Sequence, residues 1–392
     1  MELSTRIRQV VGGNGDDGWS VYYRARDMMA AGKPVVMLTI GDHDIKTDGA
    51  ILDAMKASMA AGNLGYSPVT GSLALRTAIA ARVGAAGTVT TPDNVLVTPG
   101  GQAALYAAMI ATLDAGQSCI VLDPFYATYL QTVRAASARP VIVPTRADEG
   151  FQPDIGAIEA AIAPDTRAIL INTPNNPTGA VYRRDRLAAL AALCRARGIW
   201  LISDEVYDIQ IHAGEHVSPR DLPDMAGRCL VVNSLSKSHA MTGSRLGWVL
   251  GPEDAIARIA ELATTTTYGV PGFIQDAGVF ALTEGDEIER GIAARYARRR
   301  QVALDALGNG PGYRAVPPEG GMYLMLDIRE TGLSGVAFAE RLLDEEAIAV
   351  MPGESFGHAT AGHLRIALTQ PEAALGAALG RIAAFASGLV AG

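Results

Sequence analysis

The sequence predicts an α/β fold: a mainly parallel sheet of seven strands with helices on both faces, plus a smaller α+β unit drawn from both chain ends. Three observations predict it. Short, predominantly apolar runs recur at Val95–Val97, Cys119–Leu122, Pro140–Val143, Ala168–Asn172, Trp200–Ser203, Leu230–Asn233 and Trp248–Leu250. Alanine-rich helical patterns such as Arg183–Arg197 fall between several of them. Polar residues cluster just past the ends of these runs, where open α/β sheets bind ligands. Apolar runs without polar alternation mark strands covered on both faces. With 392 residues, 49% of them hydrophobic, and 43 glycines, the chain suffices for two units with a large core.

Taken in order, the opening residues Met1–Arg8 lack the apolar stretch of a signal peptide. The run Val95–Val97 leads into Thr98-Pro99-Gly100-Gly101-Gln102, which reads as strand, glycine turn and helix start. Backbone N–H groups at such a helix N-terminus cradle phosphate. Cys119–Leu122 leads into Asp123-Pro124-Phe125-Tyr126, and Ala168–Asn172 into the turn formers Thr173-Pro174-Asn175-Asn176-Pro177-Thr178-Gly179. That turn holds the Asn176 amide at a strand edge. Trp200–Ser203 ends in Asp204, with the phenol of Tyr207 three residues later. Cys229–Val232 runs into Asn233-Ser234-Leu235-Ser236-Lys237, with Arg245 eight residues after the lysine. A lysine there, flanked by hydroxyls and an arginine, suits an aldehyde cofactor that carries a phosphate. The amine forms a Schiff base, and the serines and guanidinium hold the dianion. If the cofactor ring is a pyridinium, Asp204 supplies the anionic partner its nitrogen needs.

Beyond Ile288 come a charged helix with Arg295, Arg298, Arg299 and Arg300, expected to be a solvated face, a strand at Tyr323–Asp327, a helix at Gly335–Glu345, and strands near Ile348 and Leu364. Leu364-Arg365-Ile366-Ala367-Leu368 alternates around one arginine, whose guanidinium is suited to bind a carboxylate through two parallel hydrogen bonds.

The motifs N-N-P-T-G, S-D-E-V-Y and S-x-S-K with a following G-x-R, in this order and spacing, resemble the pyridoxal-phosphate aminotransferases of fold type I, above all the aspartate aminotransferase family. The resemblance runs from about Val35 to Thr369. It implies pyridoxal 5'-phosphate as cofactor and transfer of an amino group between an L-amino acid and a 2-oxo acid. A C–S lyase or other β-eliminating enzyme using the same cofactor site is the alternative. Lys237, Asp204 and Tyr207 take the catalytic roles by this resemblance. Gly100, Gly101, Gln102, Ser234, Ser236 and Arg245 surround the phosphate, Tyr126 stacks on the ring, and Asn176 and Tyr207 reach its phenolic oxygen. Gly41, Asn176 and Arg365 bind the substrate carboxylate. In Gly65-Tyr66-Ser67-Pro68-Val69-Thr70-Gly71, Tyr66 reaches the phosphate of a neighbouring subunit, which implies a homodimer with shared sites. The strand at Trp248 runs antiparallel, and Asp123-Pro124 and Asn176-Pro177 are cis. Residues 1–45 and 288–392 are expected to form the small unit, and 46–287 the large cofactor-binding one.

Several positions depart from the family pattern. Gln102 stands where one bacterial branch has a lysine for a distal carboxylate. The segment Ala263–Pro271, where another branch supplies an arginine from the partner subunit, has no basic residue. His43 replaces a proline after Gly41-Asp42, and Ser244 replaces a bulky residue before Arg245. Apolar or aromatic donors are therefore expected, with Tyr126, Tyr268 and Phe273 as walls and Lys46 as a flexible cation for an acidic co-substrate. His43, Lys46 and His239 are read as rim positions. The formal net charge of −8 argues against non-specific nucleic-acid binding. Cys119, Cys194 and Cys229 form neither a disulfide framework nor a metal pattern, which fits the cytoplasm. The histidines show no metal-binding pair. No run reads as a membrane span.

Overall fold

The computed structural model describes residues 2–11, 19–85 and 87–391. Its strands are β1 (Val36–Leu38), β2 (Val95–Thr98), β3 (Ser118–Asp123), β4 (Arg139–Pro144), β5 (Thr166–Asn172), β6 (Trp200–Asp204), β7 (Cys229–Ser234), β8 (Gly247–Leu250), β9 (Asn309–Gly310), β10 (Tyr313–Val316), β11 (Tyr323–Asp327), β12 (Ile348–Pro352) and β13 (His363–Ala367). Seven of them form one sheet in the order β2-β8-β7-β6-β5-β3-β4. Only β8 runs against the others, pairing antiparallel with both β2 and β7. The reversed strand is the one at Trp248, as the resemblance implied.

Successive side chains of a strand point to opposite faces, and here both faces are packed. Ile169 and Ile171 of β5 enter one core with Leu201, Val231 and Trp248. Ala168 and Leu170 enter a second core with Ile202, Leu230 and Val232. This double burial is why the strands read as unbroken apolar runs. The parallel register sets Asn172 beside Asp204 and Asp204 beside Val232, so the ends of β5, β6 and β7 open on one side.

The six remaining strands form the second sheet, β1-β12-β13-β11-β10-β9, over a third core that includes Leu324, Leu326, Phe338, Leu342 and Ile382. β1 lies parallel to β12, so the N-terminal segment joins the C-terminal part of the chain. Residues 5–11 depart from the expected grouping. Their helix, Thr5–Val11, packs on the helix Tyr129–Ala135 beside the larger sheet, and Arg6 donates to Ser137 Oγ at 2.7 Å. Residues 12–18 of that N-terminal segment lie outside the described ones.

β13 is buried along its whole length. Two sequence expectations are corrected. In the helix Asp286–Leu307, Arg299 does not lie on a solvated face. It is 2% exposed and makes a two-pronged ion pair with Asp44 at 2.7 and 2.6 Å. The helical period turns one member of the arginine run inward, which a count of charges cannot register. The C-terminal run Glu372–Val390 is long and apolar enough to cross a membrane by length and composition. Its helix packs against Asp286–Leu307, burying Leu375, Leu379, Ile382 and Ala386 at helical spacing, so the apolar stripe is a core face.

Candidate active site

A cavity of about 490 Å³ opens where the ends of β5, β6 and β7 face β11 to β13. Lys237 reaches it from the short helix Leu235–Ser238, which begins directly after β7. Its ammonium donates to the Gly41 carbonyl. Burial lowers the lysine's pKa, which favours the neutral amine.

Asp204, at the end of β6, is 5% exposed. Its Oδ2 accepts a hydrogen bond from the Tyr129 hydroxyl at 2.7 Å, and its Oδ1 one from the Val206 N–H at 3.3 Å. Burial pushes its carboxyl up to about 6, against the pull of the Tyr129 hydrogen bond. The Tyr207 hydroxyl donates to Tyr323 Oη at 3.3 Å, and burial holds the Tyr207 phenol well above its usual range.

Arg365 is 5% exposed. Its guanidinium lies between the rings of Tyr323 and Phe356, each centroid 4.3 Å from Cζ. It donates to Asn176 Oδ1 at 2.9 Å and to the Thr39 carbonyl. Among the described residues no carboxylate pairs with it, and its buried Nε has no partner. A buried guanidinium answered by aromatic faces and neutral oxygens is a built anion site.

The helix Gly101–Thr112 points its N-terminus into the same cavity. Its N-cap, Gly100, has φ +81° and offers no side-chain cap, so the first N–H groups of the helix stay available to an anion. A Cβ on Gly100 would stand 2.2 Å from Arg245 Nη2, so the guanidinium lies directly on the turn. Arg245 also donates to the Thr242 carbonyl at 2.8 Å, and Ser234 and Ser236 line the cavity beside it. This cradle fits a phosphate, and Lys237 and Asp204 fit the aldehyde and the ring nitrogen of a phosphorylated pyridine.

The predicted residues Gly41, Gly101, Gln102, Tyr126, Asn176, Asp204, Tyr207, Ser234, Ser236, Lys237, Arg245 and Arg365 all line this one cavity, and Gly100 abuts it through Arg245. Tyr66 does not. It is 91% exposed, with its ring edge-on to Tyr268 at 5.2 Å. Tyr268 and Phe273 are absent from the described cavity wall, and so is the exposed Lys46. His43 is not part of the wall; its Nδ1 meets the Tyr296 hydroxyl at 2.9 Å, and burial, with Lys237 nearby, lowers its pKa to about 4. His239 is fully buried against Ser238. Asp123-Pro124 and Asn176-Pro177 are cis, and so is Thr173-Pro174, which was not expected.

Sequence reasoning missed Tyr129, Tyr323, Phe356 and Asp42. Tyr129 had a signal, since it stands three residues after Tyr126 in one aromatic motif; in the structure the two rings meet edge-on at 5.7 Å. Tyr323 and Phe356 had none. They reach Arg365 only because β11 pairs with β13, setting Met325 opposite Arg365, and because the chain after β12 folds back over the site.

Comparison with known proteins agrees with this geometry. The family model described as aminotransferase class I and II matches residues 33–382. An arginine–pyruvate transaminase of Pseudomonas aeruginosa is 43% identical over 97% of this chain and 98% of its own. An aspartate/prephenate aminotransferase of Thermus thermophilus is 38% identical over 93% and 94% of the two chains. Among solved structures, an aspartate aminotransferase of Thermotoga maritima superposes with a TM-score of 0.92 at 32% identity, covering 98% of this chain and 99% of the other.

Proposed function

The chain belongs to the class I and II aminotransferases, pyridoxal-phosphate enzymes of fold type I, and on that premise we propose roles for its residues, a class of amino donor and a shared-site homodimer. The observation that carries the roles is the convergence of half-buried Lys237 and buried Asp204 and Arg365 on one cavity. Pyridoxal phosphate, when bound, supplies an aldehyde that condenses with amines and a ring that draws electrons from the amino acid's α-carbon. Arg365 binds the substrate carboxylate, with Asn176 orienting the guanidinium. Lys237, its pKa lowered by burial, takes the α-proton on Nζ and returns it in the reverse direction. Asp204, held by Tyr129, keeps a proton on the ring nitrogen. Arg245, Ser234, Ser236 and the N-terminus at Gly101 hold the phosphate.

The donor is an amino acid without a side-chain carboxylate. The cations in the cavity wall are Lys237, Arg245 and Arg365, and each has a task already. Gln102, at the position that could meet a distal carboxylate, is engaged by Thr128 and Thr132 at 3.0 and 2.8 Å. An unpaired carboxylate in a closed site is costly. A second reading, a cationic donor with pyruvate as acceptor, is favoured by Asp42 in the cavity wall and by the name of the relative from Pseudomonas aeruginosa. The test is kcat/KM for aspartate, phenylalanine, methionine and arginine, each with pyruvate and 2-oxoglutarate, with Lys237→Ala as the inactive control. Aspartate winning by more than about a hundredfold, roughly 2.7 kcal/mol, sinks the donor assignment.

The homodimer rests on the exposed apolar side chains Leu64, Tyr66, Leu73 and Tyr268, which a second subunit would cover. A reducing, cytoplasmic setting is part of the same reading, with Cys119, Cys194 and Cys229 free and buried.

A further inference from the structure

Asp123 takes no part in the roles above, yet it links the two sheets at the site. It ends β3 where the chain turns into Pro124-Phe125-Tyr126, and it is 2% exposed. Its backbone is fixed to the larger sheet, because its carbonyl accepts from both the N–H and the hydroxyl of Thr145, each at 2.7 Å. Its carboxylate faces the other way. Oδ2 accepts from the His358 N–H at 2.8 Å, and both oxygens accept from the Ala359 N–H at 3.2 Å. A Cβ on Gly357, whose φ is +120°, would stand 2.0 Å from Oδ1, so the loop backbone rests on the carboxylate. Beside this contact the Phe125 N–H donates to the Phe356 carbonyl at 2.9 Å. Phe356 is the ring that covers one face of the Arg365 guanidinium.

A buried carboxylate answered by backbone N–H groups is a strong, directional tie, because charge-assisted hydrogen bonds exceed neutral ones. Burial raises the Asp123 carboxyl, and the Ala359 and His358 N–H groups oppose that rise, so the loop itself stabilises the ionised form. Arg365, in contrast, touches Phe356 only through a ring face, a contact without a hydrogen bond to fix it. Asn176 and Thr39 hold the guanidinium by hydrogen bonds, while the face that Phe356 covers depends on where the loop is pinned.

We propose that Asp123 is a positioning residue that latches the loop 353–361 to the end of β3, and through Phe356 sets the Arg365 guanidinium for the substrate carboxylate. The inference rests on Arg365 binding that carboxylate. The test uses the cofactor-loaded enzyme and the variants Asp123→Asn, Phe356→Leu, their combination, and Arg365→Lys. An asparagine leaves one neutral amide oxygen to accept from the His358 and Ala359 N–H groups, so the charge that strengthens the latch is lost and the latch loosens. Asp123→Asn is expected to raise KM for the amino acid and for the 2-oxo acid by about tenfold, with kcat changed by less than about threefold. The absorbance of bound cofactor stays as in the wild type, while amide hydrogen exchange of residues 356–360 quickens. The double variant raises KM no more than the worse single one, since both act through one contact. An unchanged KM, a loss confined to kcat, wild-type exchange in the loop, or additive effects overturn the latch. If Arg365→Lys leaves KM unchanged, the carboxylate role of Arg365 falls and the latch falls with it. If Arg365→Lys raises KM and Asp123→Asn does not, the latch alone falls.

Discussion

A carboxylate buried beneath a phenol carries a cost that depends on pH. Burial raises the Asp204 carboxyl from the ordinary aspartate value of 3.8 to about 6. The folded cofactor-free protein therefore binds this proton more tightly than the unfolded chain, and stability contributed at this site falls as pH rises from about 4 to about 6. Asp204→Asn mimics the protonated form. Without cofactor it should be more stable than the wild type above pH 6, by up to about 3 kcal/mol, with the gain vanishing below about pH 4. Chemical denaturation of the cofactor-free proteins at pH 4 and 7.5 checks this. A variant less stable than the wild type at pH 7.5 would refute the burial argument. The loaded variant should lose turnover, because the site is built to meet a cationic ring nitrogen. At this scale the sequence was legible where a motif follows a strand end, as at Asn176, Asp204 and Lys237. It was silent where a side chain arrives from a distant element, as Phe356 does.

The decisive element is the turn into the helix Gly101–Thr112. Gly100 adopts φ +81°, a conformation that suits glycine, and its missing Cβ leaves room for Arg245. Gly100→Ala should weaken cofactor binding at least about tenfold and lower stability by about 1–2 kcal/mol, through backbone strain and a displaced guanidinium. Titration with pyridoxal phosphate and thermal melts of the cofactor-free protein measure the two effects. Wild-type affinity would show that the turn does not shape the cradle. Elements of the larger sheet were legible because β5, β6 and β7 are apolar on both faces. The inward turn of Arg299 and the end-to-end burial of β13 were not, since each depends on which neighbour covers the element.

For the whole molecule, the exposed Tyr66 is the testable feature. If it serves the site of the other subunit, a hybrid of Lys237→Ala with Tyr66→Phe contains one site with both native residues. Co-expressed hybrids should then show higher affinity for pyridoxal phosphate at that site than Tyr66→Phe homodimers. Equal affinity in the hybrid, or a fully active monomer by sedimentation, would rule out shared sites. The assembly was readable only through family likeness, because no single-chain pattern states which apolar side chains another copy covers.

Arg365 and Lys237 come to the cavity from different sheets, one from β13 and one from the end of β7. On the proposed roles, Arg365, gripped between two rings, gives a substrate's carboxylate one fixed berth. Lys237 then meets the α-carbon from one side only. Of the four substituents on that carbon, the carboxylate and the nitrogen are pinned, so mirror-image amino acids differ in whether hydrogen or side chain faces the lysine. On those proposed roles, the separation of the two cations across two sheets would make the fold a reader of handedness, selecting one enantiomer without any contact to the side chain.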